Sequence, residues 1–238
     1  MIKAQGLDKG LLNGNAIKII ALITMTIDHV GYMLFPSITW MRIVGRIAMP
    51  LYAFMISEGC KYTKNKLKYF LLVFLLGVAC QIVYYVNNDS LLMGILIVFS
   101  VSIAIIYALQ FAFKVKKWYA FLMPIMLIVL AYLANYYLPS FIKVGSLTFD
   151  YGFFGMMLPV IIYLFDYLFK NKWLKLLGLA IGLSPIALGI WEIQWWSYLA
   201  LIPLALYNGE RGKLNLKYMF YLYYPLHLVV IYAIGFFA

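Results

Sequence analysis

Charged residues in this chain fall in short stretches between long apolar runs, and that spacing decides what the chain can become. Nine runs stand out, at about 15–35, 41–60, 69–86, 91–113, 118–138, 150–169, 173–190, 193–207 and 218–237. A helix of about 20 apolar residues crosses a hydrocarbon core of about 30 Å, and all but the short eighth run approach that length. The runs show no period-2 alternation, and an open strand leaves its backbone polar groups unsatisfied in lipid, so they read as helices. Composition agrees: 66% of the residues are hydrophobic and 11% charged, where an ordinary soluble domain carries about 25% charged residues. Eight acids and nineteen bases cannot cover a soluble surface. The expected fold is all-α, a polytopic integral membrane helical bundle of about nine transmembrane helices forming one domain over 1–238. A soluble domain, a disordered chain and a disulfide scaffold are excluded. The first run does not read as a cleaved signal, because its flank is long, Asp28 and His29 lie inside it and no small-x-small cleavage pattern follows.

A net charge of +11 raises the possibility of nucleic acid, but the placement of the bases argues otherwise. Lys61, Lys64, Lys66 and Lys68 form one cluster, Lys114, Lys116 and Lys117 a second, and Lys170, Lys172 and Lys175 a third. Taking alternate loops as inside, these ten join Lys3, Lys9, Lys18, Arg211, Lys213 and Lys217 on one side, 16 of the 19 bases. Only Arg42, Arg46 and Lys143 fall elsewhere. The positive-inside rule then puts the N-terminus in the cytoplasm and, with nine spans, the C-terminus outside. No internal repeat is visible, and an odd span count offers no inverted halves of the kind common in secondary transporters. Tyrosines and tryptophans at run ends, among them Tyr84, Tyr85, Tyr136, Tyr137, Trp191, Trp195 and Trp196, suit the interfacial belts. Cys60 and Cys80 should differ in depth by roughly 15 Å, too far to bridge.

An ionisable side chain at the bilayer centre costs roughly 2.5–3.5 kcal/mol on insertion scales, so each one kept there needs a reason. The first run keeps Asp28 and His29, about 13 residues and so roughly 20 Å in from the cytoplasmic edge. Neighbouring helix positions point about 100° apart, so the two address different partners and one can orient while the other acts. Arg42 and Arg46 lie four residues apart on one face of the second run, which descends from the outer side and brings Arg46 near the depth of Asp28 and His29. A neutralising Asp28–Arg46 pair is the plain alternative. Glu58 closes the same run beside Lys61, roughly 18 Å below Arg46 by helical rise, where a solvated interface pair is the alternative reading. His227 sits about nine residues into the last run, after Pro225, whose missing N–H frees a backbone carbonyl one turn away. A hydrogen-bonded packing histidine is its plain reading. Asp150, Asp166 and Glu192 look like interface residues at run ends. In NGERGKLNLK, Arg211 stands between Gly209 and Gly212, so its fork can meet a phosphate. No nucleotide glycine fingerprint, zinc-ligand spacing or G-x-S-x-G elbow is present.

The stretches KIIALITMTIDHVGYMLFP, MRIVGRIAMPLYAFMISEGCKYTKN and LYNGERGKLNLKYMFYLYYPLHLVV resemble the TraX family, the F-pilin acetylases, within the wider group of polytopic membrane acyltransferases. The likeness is dense over 17–65 and 206–231 and is a pattern of spans elsewhere. The family's DHxG motif falls on Asp28, His29 and Gly31, its GRxAxP motif on Gly45, Arg46, Ala48 and Pro50, and its PLH on Pro225, Leu226 and His227. The resemblance implies acetyl-CoA as donor, with no metal, and the N-terminal amine of a membrane-associated or exported protein or peptide as acceptor.

An α-amino group with a reference pKa of about 7.7–8.0 must lose a proton to attack, and imidazole, near 6.5, is the matched base. His29 is the expected base, oriented by Asp28 or a neighbour, with Arg46 stabilising the oxyanion. Arg42, Glu58 and His227 complete the candidate catalytic set, and Asn208, Arg211 and Lys213 are the candidate residues for CoA. A covalent acetyl-histidine is the other route open to His29. Competing functions are an O-acetyltransferase of a cell-surface glycan or lipid headgroup, a proton-coupled transporter using Asp28, His29 and His227, and a structural membrane partner.

Overall fold

The computed structural model describes residues 10–88, 91–142, 147–189, 192–214 and 216–237. Lys3, Lys9, Lys143 and Trp191 lie outside the described residues. The chain is an all-α polytopic membrane protein. Seven stretches are long and apolar enough to cross a bilayer: Gly14–Met33, Thr39–Tyr62, Lys66–Val86, Ile95–Val115, Trp118–Tyr136, Gly152–Phe169 and Lys172–Gly189. They match the first seven expected runs. The eighth differs in kind. Residues Glu192–Ala200 form a 3-10 helix that continues into a short α-helix, Leu201–Ala205. A 3-10 helix rises about 2.0 Å per residue against 1.5 Å in an α-helix, so this stretch reaches at most roughly 26 Å. The last run is helical over Lys217–Phe237, with its described apolar part at Leu222–Phe236.

Two compact units divide the chain, one made of Met1–Met55 with Leu164–Ala238 and the other of Ile56–Tyr163. The second unit is organised by α5 (Ile95–Val115), which follows α4 (Lys66–Asn88) and precedes α6 (Leu122–Tyr136) and a single turn, α7 (Leu138–Phe141). A helix apolar all round belongs in a core, and Val98, Phe99, Ile103, Ile105 and Ile106 of α5 are all at most 1% exposed. Ser102 ties α5 to α8 (Gly152–Phe169) by donating to the Met156 carbonyl at 2.6 Å. Two short parallel strands, β1 (Leu92–Met93) and β2 (Thr148–Phe149), pair Leu92 with Thr148 and Met93 with Phe149. Cys60 and Cys80 are buried free thiols, as expected.

The first unit begins with a helical hairpin of α1 (Gly14–Met33) and α2 (Thr39–Gly45). Asn13 caps α1 by accepting from the Ala16 N–H. A break at Arg46 and Ile47 separates α2 from α3 (Ala48–Tyr62). Pro50 explains the break: it offers no N–H to the Arg46 carbonyl, four residues back, and its ring crowds that carbonyl. Two glycines set how closely the hairpin closes. A Cβ at Gly31 would lie 2.6 Å from that of Met41, and one at Gly45 would overlap the Asp28 carboxylate. The unit is completed by α9 (Lys172–Gly189), α10 (Leu201–Ala205) and α11 (Lys217–Phe237). Gly45→Ala should therefore destabilise the protein by about 1–3 kcal/mol, as overpacking does, while Gly189→Ala, with nothing within 4 Å of its Cβ, should change little. Melting of the two variants in detergent measures the difference, and equal midpoints would contradict the close approach.

Candidate active site

The two ionisable residues of α1 face different neighbours, as their 100° separation requires. Asp28 turns to α2. Arg46 Nη2 donates to both its carboxylate oxygens, at 2.5 and 2.6 Å, and Arg42 Nη1 lies 3.0 Å from Oδ1. Arg42 Nη1 also donates to the Asp28 backbone carbonyl at 3.2 Å. Arg46 Nε donates to the Arg42 carbonyl at 3.2 Å, which also accepts the Arg46 backbone N–H at 3.2 Å. The Arg46 side chain is 7% exposed and that of Arg42 23%. Arg42 also stacks over Tyr32, its guanidinium carbon 4.9 Å from the ring centre.

His29 turns to α11. Its Nδ1 is 2.8 Å from Nε2 of His227, and the rings stack with centroids 5.0 Å apart. His227 Nδ1 lies 3.1 Å from the Tyr223 carbonyl. A carbonyl only accepts, so His227 Nδ1 carries a hydrogen and, in a neutral ring, Nε2 does not. His29 Nδ1–H must then be the donor between the rings, which leaves His29 Nε2 with its lone pair. The ring partner expected to be Asp28 or a neighbour is thus His227. His227 is 6% exposed, and Tyr223 and Tyr224 pack on it, one face to face and the other edge on.

One turn before the histidines, the Tyr223 hydroxyl lies 2.8 Å from Thr26 Oγ1, which itself donates to the Leu22 carbonyl. The pairs Thr26 with Tyr223 and His29 with His227 set α1 and α11 parallel. Neither Thr26 nor Tyr223 was flagged by charge. Their signal was positional, since each lies three or four residues before a histidine on the same helical face.

The loop before α11 is bound to the start of α1. Leu12 N–H donates to the Leu206 carbonyl and Asn208 N–H to the Leu12 carbonyl, while Gly14 and Asn15 N–H groups donate to the Glu210 and Arg211 carbonyls. The Asn15 side chain reaches the Leu214 carbonyl at 2.7 Å. Gly209 and Gly212 both have positive φ, 78° and 91°, the conformation that favours glycine. Asn208 accepts from the Glu210 N–H, so its side chain shapes the turn. Arg211 and Lys213 are exposed. Since the first N–H groups of α1 are already taken, anion binding on this loop falls to side chains.

Glu58, on α3 and in the second unit, is 8% exposed, which removes the solvated alternative. Lys175 was expected in a solvated cluster, but α9 starts at Lys172 and so places Lys175 one turn inside it. It is 4% exposed, with Nζ 3.8 Å from Asp166 Oδ2 and 4.3 Å from the Phe54 ring centre. Asp166 is accordingly the partly buried partner of Lys175, near the end of α8.

These polar groups set into long apolar helices define a multi-pass membrane protein with a polar side-chain cluster among its helices. The family model described as TraX protein matches residues 13–235, and the chain belongs to the TraX family. It is similar to the probable fimbrial assembly protein FimC, serogroup H1, of Dichelobacter nodosus, at 23% identity over 248 residues covering 90% of this chain and 92% of that protein. It is also similar to an uncharacterized protein of Rickettsia prowazekii (strain Madrid E), at 44% identity over 66 residues, 28% of this chain and only 25% of that one. No solved structure matches.

The tautomers are directly measurable. Nitrogen-15 spectra of labelled imidazoles in detergent or lipid should show both histidines protonated at Nδ1 and bare at Nε2 at neutral pH. His227→Phe should release that preference in His29. A proton on His29 Nε2 in the unaltered protein would contradict the assignment.

Proposed function

We propose that this protein is a membrane-embedded acetyltransferase that moves an acetyl group from cytosolic acetyl-CoA to the N-terminal amine of a membrane-associated or exported protein. The observation that carries the reading is the 2.8 Å contact between His29 Nδ1 and His227 Nε2. It holds one imidazole by its Nδ1–H and leaves Nε2 unprotonated, the arrangement a general base needs. Membership of a family associated with pilin processing and a relative described as a probable fimbrial assembly protein favour a protein acceptor at a membrane. The setting is a bacterial cytoplasmic membrane, with the loop of Arg211 and Lys213 on the inner face.

His29 Nε2 takes a proton from the acceptor amine as its nitrogen attacks the thioester carbonyl. Nδ1–H stays with the ring, and His227 spreads the imidazolium charge through the bond it accepts. The oxygen of the tetrahedral intermediate carries a negative charge beside the cationic group built by Arg42, Arg46 and Asp28, and preorganised donors act strongly where water is excluded. Collapse breaks the carbon–sulfur bond. The imidazolium returns its proton to the thiolate, giving N-acetylated acceptor and free CoA thiol. Arg211 and Lys213 meet the donor's phosphates, with Asn208 holding the turn that presents them. The transporter alternative needs Asp28 in a relay with the histidines, but the Asp28 carboxylate turns to Arg42 and Arg46 while His29 and His227 face each other.

Purified protein given acetyl-CoA and an amine-bearing peptide should release thiol. His29→Ala should lower that rate by roughly 100-fold to 10,000-fold, the contribution of a positioned acid–base group. Unchanged release in the variant would remove His29 from the reaction, and no release by the unaltered protein would end the acyl-transfer reading. Arg211→Ala should weaken the apparent affinity for acetyl-CoA with kcat retained; an unchanged affinity would exclude the loop as the phosphate site.

A further inference from the structure

The two arginines beside Asp28 have different capacities left for a ligand. Arg46 is 7% exposed in its side chain, spends Nη2 on both carboxylate oxygens and spends Nε on the Arg42 carbonyl. Each of these contacts holds another part of the hairpin. Arg42 differs in three ways. Its side chain is 23% exposed. Among the described residues, its hydrogen bonds and its ion pair leave from Nη1 alone, so Nε and Nη2 keep three N–H donors. They sit on a guanidinium steadied by the Tyr32 ring, 4.9 Å from its centre.

Placement favours Arg42 as well. Nη1 is 3.2 Å from the carbonyl oxygen of Asp28, which belongs to the peptide bond joining Asp28 to His29. Arg42 is thereby tied to the backbone at the residue next to His29. Arg46 supports this from behind, by gripping the carboxylate that Arg42 shares and the carbonyl of Arg42 itself.

We propose that Arg42 is the catalytic residue that donates to the thioester oxygen as it becomes negative, and that Arg46 is a positioning residue acting through Asp28 and the Arg42 backbone. The inference rests on the acyl-transfer reading and assigns the oxyanion role, which the sequence expectation gave to Arg46, to its neighbour one turn earlier. No covalent change occurs at Arg42. Its N–H groups bond more strongly to the tetrahedral oxyanion than to the ground-state carbonyl, so its removal should lower kcat more than it raises KM.

The test compares steady-state thiol release from acetyl-CoA with melting in detergent. Arg42→Gln should lose roughly 100-fold to 1,000-fold in kcat, the range seen when one oxyanion donor is removed, with the KM for acetyl-CoA near that of the unaltered protein and a smaller fall in melting midpoint than Arg46→Gln shows. Arg42→Lys keeps the charge without the fork and should recover only part of the rate. Guanidinium ion added to Arg42→Ala should restore activity in part. Arg46→Gln should lower the melting midpoint, and added guanidinium should not restore the rate of Arg46→Ala. If Arg42→Gln stays within threefold of the unaltered kcat, or if guanidinium rescues only the Arg46 variant, the assignment is overturned while acyl transfer stands. If the unaltered protein releases no thiol, acyl transfer falls and this assignment falls with it.

Discussion

A carboxylate held by two guanidinium groups inside an apolar hairpin is the interaction on which the first unit depends. Asp28, Arg42 and Arg46 each cost free energy in lipid, and the cost is offset only when all three meet with good geometry. Two hydrogen bonds from one nitrogen of Arg46, a third contact from Arg42 and the absence of a Cβ at Gly45 give that geometry. Removing one partner of such a buried group typically costs about 3–5 kcal/mol, because a charge is left behind. The hairpin is therefore fixed in rotation as well as in contact. With α1 so fixed, His29 has one direction to face, and α11 meets it there.

The site follows from using both faces of one turn of α1. One face carries charge and joins α2; the other carries an imidazole and joins α11. A catalytic base needs a neutral ring in a known tautomer, and an oxyanion needs a fixed cation. Placing Asp28 and His29 side by side in sequence separates the two environments by about 100° of helix rotation while holding them a few ångströms apart. Pro50 and the break at Arg46 serve the same end. They leave the Arg42 carbonyl in a terminal turn, where it accepts both the Arg46 backbone N–H and the Arg46 side chain.

The membrane fold and most of the site were legible because lipid makes polar groups expensive. Asp28, Arg42, Arg46 and His227 stood out in apolar runs for that reason alone, and the structure pairs His227 with His29 and both arginines with Asp28. The ring-to-ring contact was not legible: 198 residues separate His29 from His227, and no local pattern reports which faces of two distant helices meet. Lys175 was misread because counting bases assigns them to a side of the membrane without saying where a helix starts. Residues 193–207 were read as a short α-helical span because hydropathy does not distinguish 3-10 from α winding. Gly31 and Gly45 were visible as motif positions, yet their reason, the closeness of α1 to α2, appears only with the packing.

The account stands or falls on whether Asp28 and Arg46 act as one unit. A double-mutant cycle of Asp28→Asn, Arg46→Gln and the pair, read by unfolding in detergent, measures this directly. The predicted result is strong coupling, with the double variant melting no lower than the worse single variant, because Asp28→Asn leaves two guanidinium groups without their carboxylate and Arg46→Gln then removes one of them. Losses that simply add, within about 0.5 kcal/mol as for independent sites, would contradict it.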